Sequence, residues 1–491
     1  MKLARLLAEA GHENDGAGEV EVTGFAIDHR RVAPGTIFGA FAGSRVDGEG
    51  FIGDAVQAGA VAVVARPEAK VVGARHIADA VPRRAFARLA ARFFSPVPAT
   101  LAAVTGTNGK TSTVELTRQI WRMAGERAAS IGTLGVTTPD ESVATGLTTP
   151  DIVTFLANLS GLAREGVTHV AYEASSHGLD QYRNEGVRPQ AVAFTNLSRD
   201  HLDYHADMET YFAAKMRLFD EVAADSGTAV VWMDAQPDDW ARRAFGHAER
   251  RGLNVMTVGE GGSAIRLVSR ESGQLGQKLT IEHGGETSTI ALPLIGAYQA
   301  ANALTAAGLA LATGTPAAQV WDALGRLQPV RGRLERAAIT ARGAPVYVDY
   351  AHTPDAIGAA IAALRPHVTA RLITVLGAGG DRDHGKRAPM GQAAAHGSDL
   401  VIVTDDNPRG EDPAAIRGAV LAGAGPGARE IGDRREAIAA AVAEAGEGDI
   451  VLIAGKGHEQ GQIVGSGPKM RMLPFDDVTV ARECAGGDLA A

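Results

Sequence analysis

The stretch TLAAVTGTNGKTS, residues 100–112, decides how the rest of the chain is read. Its first six residues, 100–105, are an apolar run of strand length. Gly106, Thr107, Asn108, Gly109, Lys110, Thr111 and Ser112 follow without a break and open into a helical pattern. A strand that turns through glycines into a helix is the setting of a phosphate-binding loop. Glycines let backbone N–H groups approach phosphate oxygens, and the helix N-terminus adds a favourable field. Lys110 is placed to reach the β and γ phosphates, and the Thr111 hydroxyl to ligate Mg²⁺. The strict pattern wants a further glycine where this chain has Val104, so the loop is a variant. It announces a nucleotide, not a reaction.

Working outward, the next strand-like runs are 168–173, 191–195 and 228–233. The first ends on Glu173, an acid able to hold Mg²⁺ directly or through water. The second runs into 195–205, TNLSRDHLDYH, whose last seven residues include two Asp, two His and one Arg. So many ionisable groups in one loop are costly without a ligand. Residues 264–294 alternate in character and predict antiparallel strands, and 297–312 predicts a helix.

At about 150 residues per domain, 491 residues make about three domains. Boundaries are expected at 1–98, 99–333 and 334–491, with Pro96 and Pro98 marking a linker. The first region reads as a small α/β domain, with strands at 20–28, 36–41 and 61–65. Arg83, Arg84, Arg88 and Arg92 follow Pro82 and read as the solvated face of an amphipathic helix. In the last region strands at 345–350, 372–376, 400–404, 428–431 and 450–454 alternate with helices, predicting a doubly wound parallel sheet. Ligands of such sheets sit beyond the carboxyl ends of the strands. His352, 377–383, 405–409 and 455–459 are therefore the residues to inspect.

Composition narrows the class. The formal charge of −9 and pI near 5.9 make a poor general binder of nucleic-acid backbones, though local basic pockets for small anions remain open. Cys484, the one cysteine, excludes an internal disulfide and a four-cysteine zinc site. Residues 1–15 lack a signal-peptide layout, and the apolar run at 58–65 is too short to span a bilayer. A cytoplasmic protein with no nucleic-acid partner and no membrane insertion is expected. The 60 glycines, about 12% against a usual ~7%, cluster beside apolar runs, where βα turns and backbone-lined ligand sites need them.

Segments 105–111, 173–178, 196–205, 349–354, 406–409 and 455–459 together resemble the Mur ligases, in the family's order and over essentially the whole chain. The resemblance implies an N-terminal domain for a uridine nucleotide, a central P-loop ATPase domain with a mostly parallel sheet, and a C-terminal Rossmann-like domain. It implies that ATP phosphorylates an acceptor carboxylate and that an amine then attacks the acyl phosphate. It implies that Lys110, Glu173, His201 and Lys215 are catalytic, with Thr111 and Glu173 on one Mg²⁺ and Glu173 and His201 on a second. Taken alone, Lys215 is a surface lysine; the resemblance makes it a carbamylated lysine that serves the metal. Asn302 matches an adenine-site asparagine, while Gln299 stands where the family usually has another asparagine. Arg333 and Asp349, otherwise a surface arginine and a strand-end cap, match residues that reach ATP from the third domain.

For the acceptor, UDP-MurNAc-L-Ala-D-Glu, the resemblance points to Ile27, His29, Ser44, Arg45, Val46, Thr148, Thr149, Ser175, Gln181 and Arg183; the family usually has serine where this chain has His29. For the amine it points to Arg382, Asp406, Asn407, Pro408, Arg409, Gly455 and Glu459, the pattern of the members that add meso-diaminopimelate. That amino acid carries a second carboxylate at its far end, where lysine has only an ammonium, and an arginine fork pairs with it. A monomer acting on small molecules is expected. The competing readings are a lysine-adding or other Mur-type ligase, a folylpolyglutamate synthase, and a P-loop switch without ligase chemistry.

Overall fold

The computed structural model describes residues 1–11, 19–43, 47–138, 140–143, 147–236, 238–273 and 276–486. Ser44, Arg45 and Val46 lie outside the described residues. Among the described residues no helix is long and apolar enough to cross a membrane.

The first sheet has four parallel strands in the order Gly24–Ala26, Thr36–Gly39, Ala62–Ala65 and Arg75–Ala78. The apolar run Ala62–Ala65 is covered on both faces, as parallel sheets require. Val63 and Ala65 pack with Ile52 and Ala55 of the helix Ile52–Gln57. Ala62 and Val64 pack with Phe86 and Leu89 of the helix Pro82–Phe93. That second core does not stop at the first sheet. It continues through Phe155, Leu156 and Leu159 of the helix Ile152–Arg164 into Val170 and Val192 of the next sheet.

The second sheet has eleven strands. Its parallel centre runs Asn254–Gly259, Thr228–Trp232, Ala191–Phe194, Thr100–Thr105, His169–Glu173 and Ala128–Gly132. Ile265–Gly273 pairs parallel with this centre and begins the antiparallel set expected near 264–294, with Gly276–His283 and Glu286–Leu292. Thr100–Thr105 lies mid-sheet, so the glycine turn at its end is flanked by the ends of Ala191–Phe194 and His169–Glu173. Adjacency therefore brings the 195–205 loop and Glu173 to the phosphate loop.

The third sheet runs Glu335–Ile339, Pro345–Asp349, Ile450–Ala454, Leu372–Leu376, Leu400–Val403 and Arg429–Glu430. Its last five strands are parallel and the first is an antiparallel edge, which strict β–α alternation did not predict. Ile450, Leu452 and Ala454 face one core and Val451 and Ile453 the other, the alternation of a doubly wound sheet. A hairpin, Gly461–Val464 with Arg471–Pro474, was also unforeseen.

The arginines of Pro82–Phe93 are not simply a solvated face. Arg84 Nε and Arg88 Nε lie 3.2 and 3.1 Å from Glu185 Oε1, and Arg84 also faces Glu221 at 3.5 Å. Arg83 stacks over the Phe41 ring at 4.8 Å. The helix is thus tied by charge as well as by apolar contact to the neighbouring unit. Glu185→Gln is expected to lower stability by about 1 kcal/mol, because its carboxylate is buried while its partners are half-exposed. Urea midpoints measure it, and an unchanged midpoint would mean that the two pairs contribute nothing.

Candidate active site

The phosphate loop is built from backbone that only glycine tolerates in two places. Gly106 has φ +144°, and a Cβ there would lie 2.0 Å from Thr195 Oγ1. Gly109 has φ +86°, and a Cβ there would lie 2.3 Å from Asn302 Oδ1. Hydrogen bonds lock the loop onto its neighbour. The Thr107 and Asn108 N–H groups donate to Asn196 O at 2.8 Å and Asn196 Oδ1 at 3.0 Å. Thr195 Oγ1 donates to Asn108 O at 2.6 Å.

Two lysines converge on this loop. Lys110 Nζ donates to Gly106 O at 3.0 Å and Thr107 O at 2.7 Å. Lys215, on the helix Met208–Arg217, is 1% exposed and donates to the same Gly106 O at 2.7 Å. Its ammonium also lies 4.3 Å from the centre of the Tyr211 ring. Burial lowers the affinity of both groups for their protons; for Lys215, with Lys110's charge added, the pKa falls well below the ordinary lysine value.

Glu173 ends its strand beside them. Its Oε1 accepts the Thr133 N–H at 2.7 Å, while Oε2 is buried without a partner. Asp200 is buried among His201, His352 and Lys386, at 3.5, 3.7 and 3.6 Å. Burial favours its neutral form, but the His352 hydrogen bond and these neighbours' charges overcome it and hold the carboxyl well below its usual range. Asp203 turns to solvent and His205 stacks against Tyr211, so the 195–205 cluster divides its charges rather than pooling them.

The third sheet meets this loop with its own carboxyl ends. Arg333 Nη2 donates to Thr111 Oγ1 at 2.9 Å, with its guanidinium over the Tyr350 ring. Asp349 Oδ2 accepts the Leu334 N–H at 2.6 Å and the Tyr298 hydroxyl at 3.2 Å, and burial raises its pKa. Gln299 Nε2 holds Arg333 O at 3.0 Å and its Oε1 accepts from Asn302 at 3.3 Å, so the glutamine fastens the arginine segment to the Asn302 helix. Tyr298, Asn302, Arg333, Asp349 and His352 line one cavity of about 520 Å³ together with the phosphate-loop residues, Glu173 and Asp200.

Beyond His352 lies a second polar cluster. Lys456, fully buried, sits 3.1 Å from Asp406 Oδ1 and donates to Asn407 Oδ1 at 3.0 Å. Asn407 Nδ2 donates to Glu459 Oε2 at 2.7 Å. Gly455 is pressed against Asp406, where a Cβ would lie 2.6 Å from Oδ2. Burial would raise the Asp406 pKa, but the Lys456 and Arg434 charges pull it down; Glu459 is raised by burial and then by Asp406. Arg409 Nη1 donates to Gly380 O at 3.0 Å, and the exposed Arg382 adds positive charge beside it. Pro408 contributes its carbonyl to the close approach of Gly380, where no side chain fits.

Comparison with known proteins matches three family models along the chain. They are "Mur ligase family, catalytic domain" over 21–104, "Mur ligase middle domain" over 104–310 and "Mur ligase, glutamate ligase domain" over 332–457. A Zymomonas mobilis protein named UDP-N-acetylmuramoyl-L-alanyl-D-glutamate--2,6-diaminopimelate ligase is 60% identical over 462 residues, 94% of each chain. A Bradyrhizobium diazoefficiens protein of the same name is 52% identical over 97% of each. The chain belongs to the Mur ligase family. A solved structure of a ligase so named superposes on this Mur ligase with a TM-score of 0.68 at 33% identity, covering 95% of each chain.

Around Glu173 this Mur ligase gathers the residues expected for an acceptor. Thr149 Oγ1 donates to Glu173 O at 2.9 Å and accepts the Ser175 N–H at 3.1 Å. Arg183 donates to Thr149 O at 2.9 Å and to Gln181 Oε1 at 2.7 Å. Thr148 Oγ1 accepts from Thr133 at 3.1 Å. Ile27 and His29 lie apart, after the first strand of the first sheet, with His29 stacked on Phe51 at 4.4 Å. Sequence reasoning passed over Lys456 and Lys386. Each has an acid three positions away in the chain, Glu459 and Asp383, and so reads as a locally paired surface lysine, while the partners Asp406 and Asp200 lie far away in sequence. Gly455 before Lys456 was the usable hint.

Burial lowers the pKa of His177 to about 4 and of His458 to about 3, in each case ahead of neighbouring charges. Below pH 6.5 the unfolded chain takes up these protons first, so stability is expected to fall as pH drops from 6.5 toward 4. His177→Gln and His458→Asn should each flatten that slope in urea titrations at pH 7, 5.5 and 4.5. Parallel slopes for wild type and both variants would contradict the assignment.

Proposed function

We propose that this Mur ligase is an ATP-dependent acid–amino-acid ligase of cytoplasmic peptidoglycan-precursor synthesis. It joins meso-diaminopimelate to UDP-N-acetylmuramoyl-L-alanyl-D-glutamate. The observation that carries the reading is the charge layout of the third-domain loops. Two guanidinium groups, Arg382 and Arg409, stand beside two carboxylates, Asp406 and Glu459. An amino acid whose far end bears both a carboxylate and an ammonium complements that layout; lysine complements half of it. The relatives named as diaminopimelate ligases, similar over nearly the full length, support the same substrate.

A carboxylate is a poor electrophile. In the proposed reaction its oxygen takes the γ-phosphoryl group of ATP, ADP departs, and the acyl phosphate carries a good leaving group. The amine attacks the carbonyl carbon, phosphate leaves the tetrahedral intermediate, and the amine proton is lost as the amide forms. Two anions must approach before the first step, so positive charge is needed between them. Lys110 and the loop N–H groups supply it on the ATP side. Thr148, Thr149, Ser175, Gln181 and Arg183 hold the acceptor peptide, and Ile27, His29 and 44–46 its nucleotide end. Asn302 faces the adenine, and Arg333 and Asp349 close on the ATP from the third domain.

For Mg²⁺ the donor set fits a metal shared with substrate. Glu173 Oε2 is buried and unpartnered, yet no group of three or more His, Cys, Asp or Glu side chains is gathered as a cage among the described residues. Mg²⁺ is commonly held by one or two carboxylates plus phosphate oxygens. Thr111 and Glu173 would hold one Mg²⁺ on the ATP side, and Glu173 and His201 a second on the acceptor side, where the ions would neutralise phosphate charge. Burial favours the neutral amine of Lys215, the form that adds to carbon dioxide, and the carbamate so formed would offer two acceptor oxygens to the metal side.

With acceptor and ATP present, phosphate release is expected to depend on meso-diaminopimelate and to be weak with L-lysine. Arg409→Lys should raise the KM for diaminopimelate roughly 10- to 100-fold, the worth of a charge-assisted fork. Equal rates with the two amines would overturn the substrate assignment, and release with ATP alone would favour a nucleotide switch. Lys215→Ala should lose most activity without rescue by high bicarbonate; a fully active variant would remove Lys215 from the chemistry.

A further inference from the structure

A second cavity, of about 790 Å³, lies behind the phosphate loop. It opens between the helix Lys110–Met123, the 326–331 connection into the third domain, and His458 and Gln460. The charged side chains lining it are four arginines, 118, 122, 326 and 331, and one glutamate, 115. On a chain of net charge −9 that concentration runs against the background.

Arg118 is the telling member. It is 8% exposed, and its Nε and Nη2 are held by Glu115 at 3.0 and 2.9 Å. Its Nη1 is buried with no partner among the described residues, although a guanidinium N–H out of water costs free energy unless it donates. Across the cavity, His458 Nδ1 is likewise buried and unpartnered. Arg331 and Arg326 are anchored on Asp476 and Asp322, outside the lining, which fixes their positions while leaving donors over. Arg122 stands exposed at the mouth. Arginine forks lining one concave wall offer the recognition chemistry of phosphate.

The two cavities share Thr133. Its N–H holds Glu173 Oε1, so the arginine cavity begins one residue from the acid at the reacting end of the phosphate loop.

We propose that this cavity is a second phosphate-binding site, separate from the phosphate loop and centred on Arg118 and Arg122. Its ligand is a phosphate group, either the inorganic phosphate freed by the ligase reaction or that of a phosphorylated solute. Only the first source rests on the ligase reading. The site would give a partner to Arg118 Nη1, which the fold leaves unpaired among the described residues.

Inorganic phosphate is the probe, followed by ³¹P line broadening with the full chain carrying Lys110→Ala, which disables the phosphate loop. Saturable binding should persist there. Adding Arg122→Ser with Arg326→Ser should weaken it at least about tenfold. Arg118→Lys, which keeps the charge and loses the fork, should weaken it as well, with thermal melts reporting that the variants fold. Loss of binding on Lys110→Ala alone, or unchanged binding in both arginine variants, overturns the site. In the Lys110-containing enzyme, phosphate release that lags amide formation after Arg122→Ser and Arg326→Ser identifies the reaction as the source. Release that keeps pace, with equilibrium binding weakened, identifies phosphate from solution. The titration reads the site even in a chain that ligates nothing.

Discussion

Two buried ammonium groups share one carbonyl oxygen, that of Gly106. Each would be more stable in water, and neither has a carboxylate within ion-pair distance in the described structure. The carbonyl can point at both only because Gly106 takes a backbone conformation closed to other residues, with Thr195 where a side chain would stand. Anions bound there, as the proposed reaction requires, would make that crowded cationic point tolerable. That point also makes Lys215 easier to deprotonate, the condition that the proposed carbamylation requires.

Everything else around the point is a matter of two sheets presenting their carboxyl ends to each other. The central sheet contributes the loop, Glu173 and Asp200. The third contributes Arg333, His352 and Lys386, which cross to Thr111 and Asp200. Few of these links are ion pairs of high worth taken singly, since several are long. Their value is positional, because they hold the third sheet's residues against the phosphate loop, where the proposed reaction needs both.

The phosphate loop was legible because its determinants are local: a strand, two glycines, a lysine and a helix, all within 13 residues. The alternation 345–454 was legible for the same reason, and its apolar strands are the ones observed. What resisted reading was pairing at a distance. Arg84 and Arg88 read as solvated because Glu185 lies about a hundred positions on, brought near only when the first sheet's helix packs on the second. Gln299, an odd substitution in sequence, became intelligible once its amide was seen to clamp the Arg333 carbonyl. Lys456 was hard to read as fully buried, because Asp406, 3.1 Å from it, comes from another loop.

The apolar core that runs from Leu3 through Phe86 and Phe155 to Val192 joins the first unit to the second without a seam. Two bodies sharing one core cannot turn against each other without exposing it to water. In the proposed reaction, an acceptor held by its nucleotide in the first unit and reacting at Glu173 in the second would therefore bridge a fixed gap. On that proposal the pair of units would gauge acceptor length, since a peptide one residue short or long would present its carboxylate off the mark.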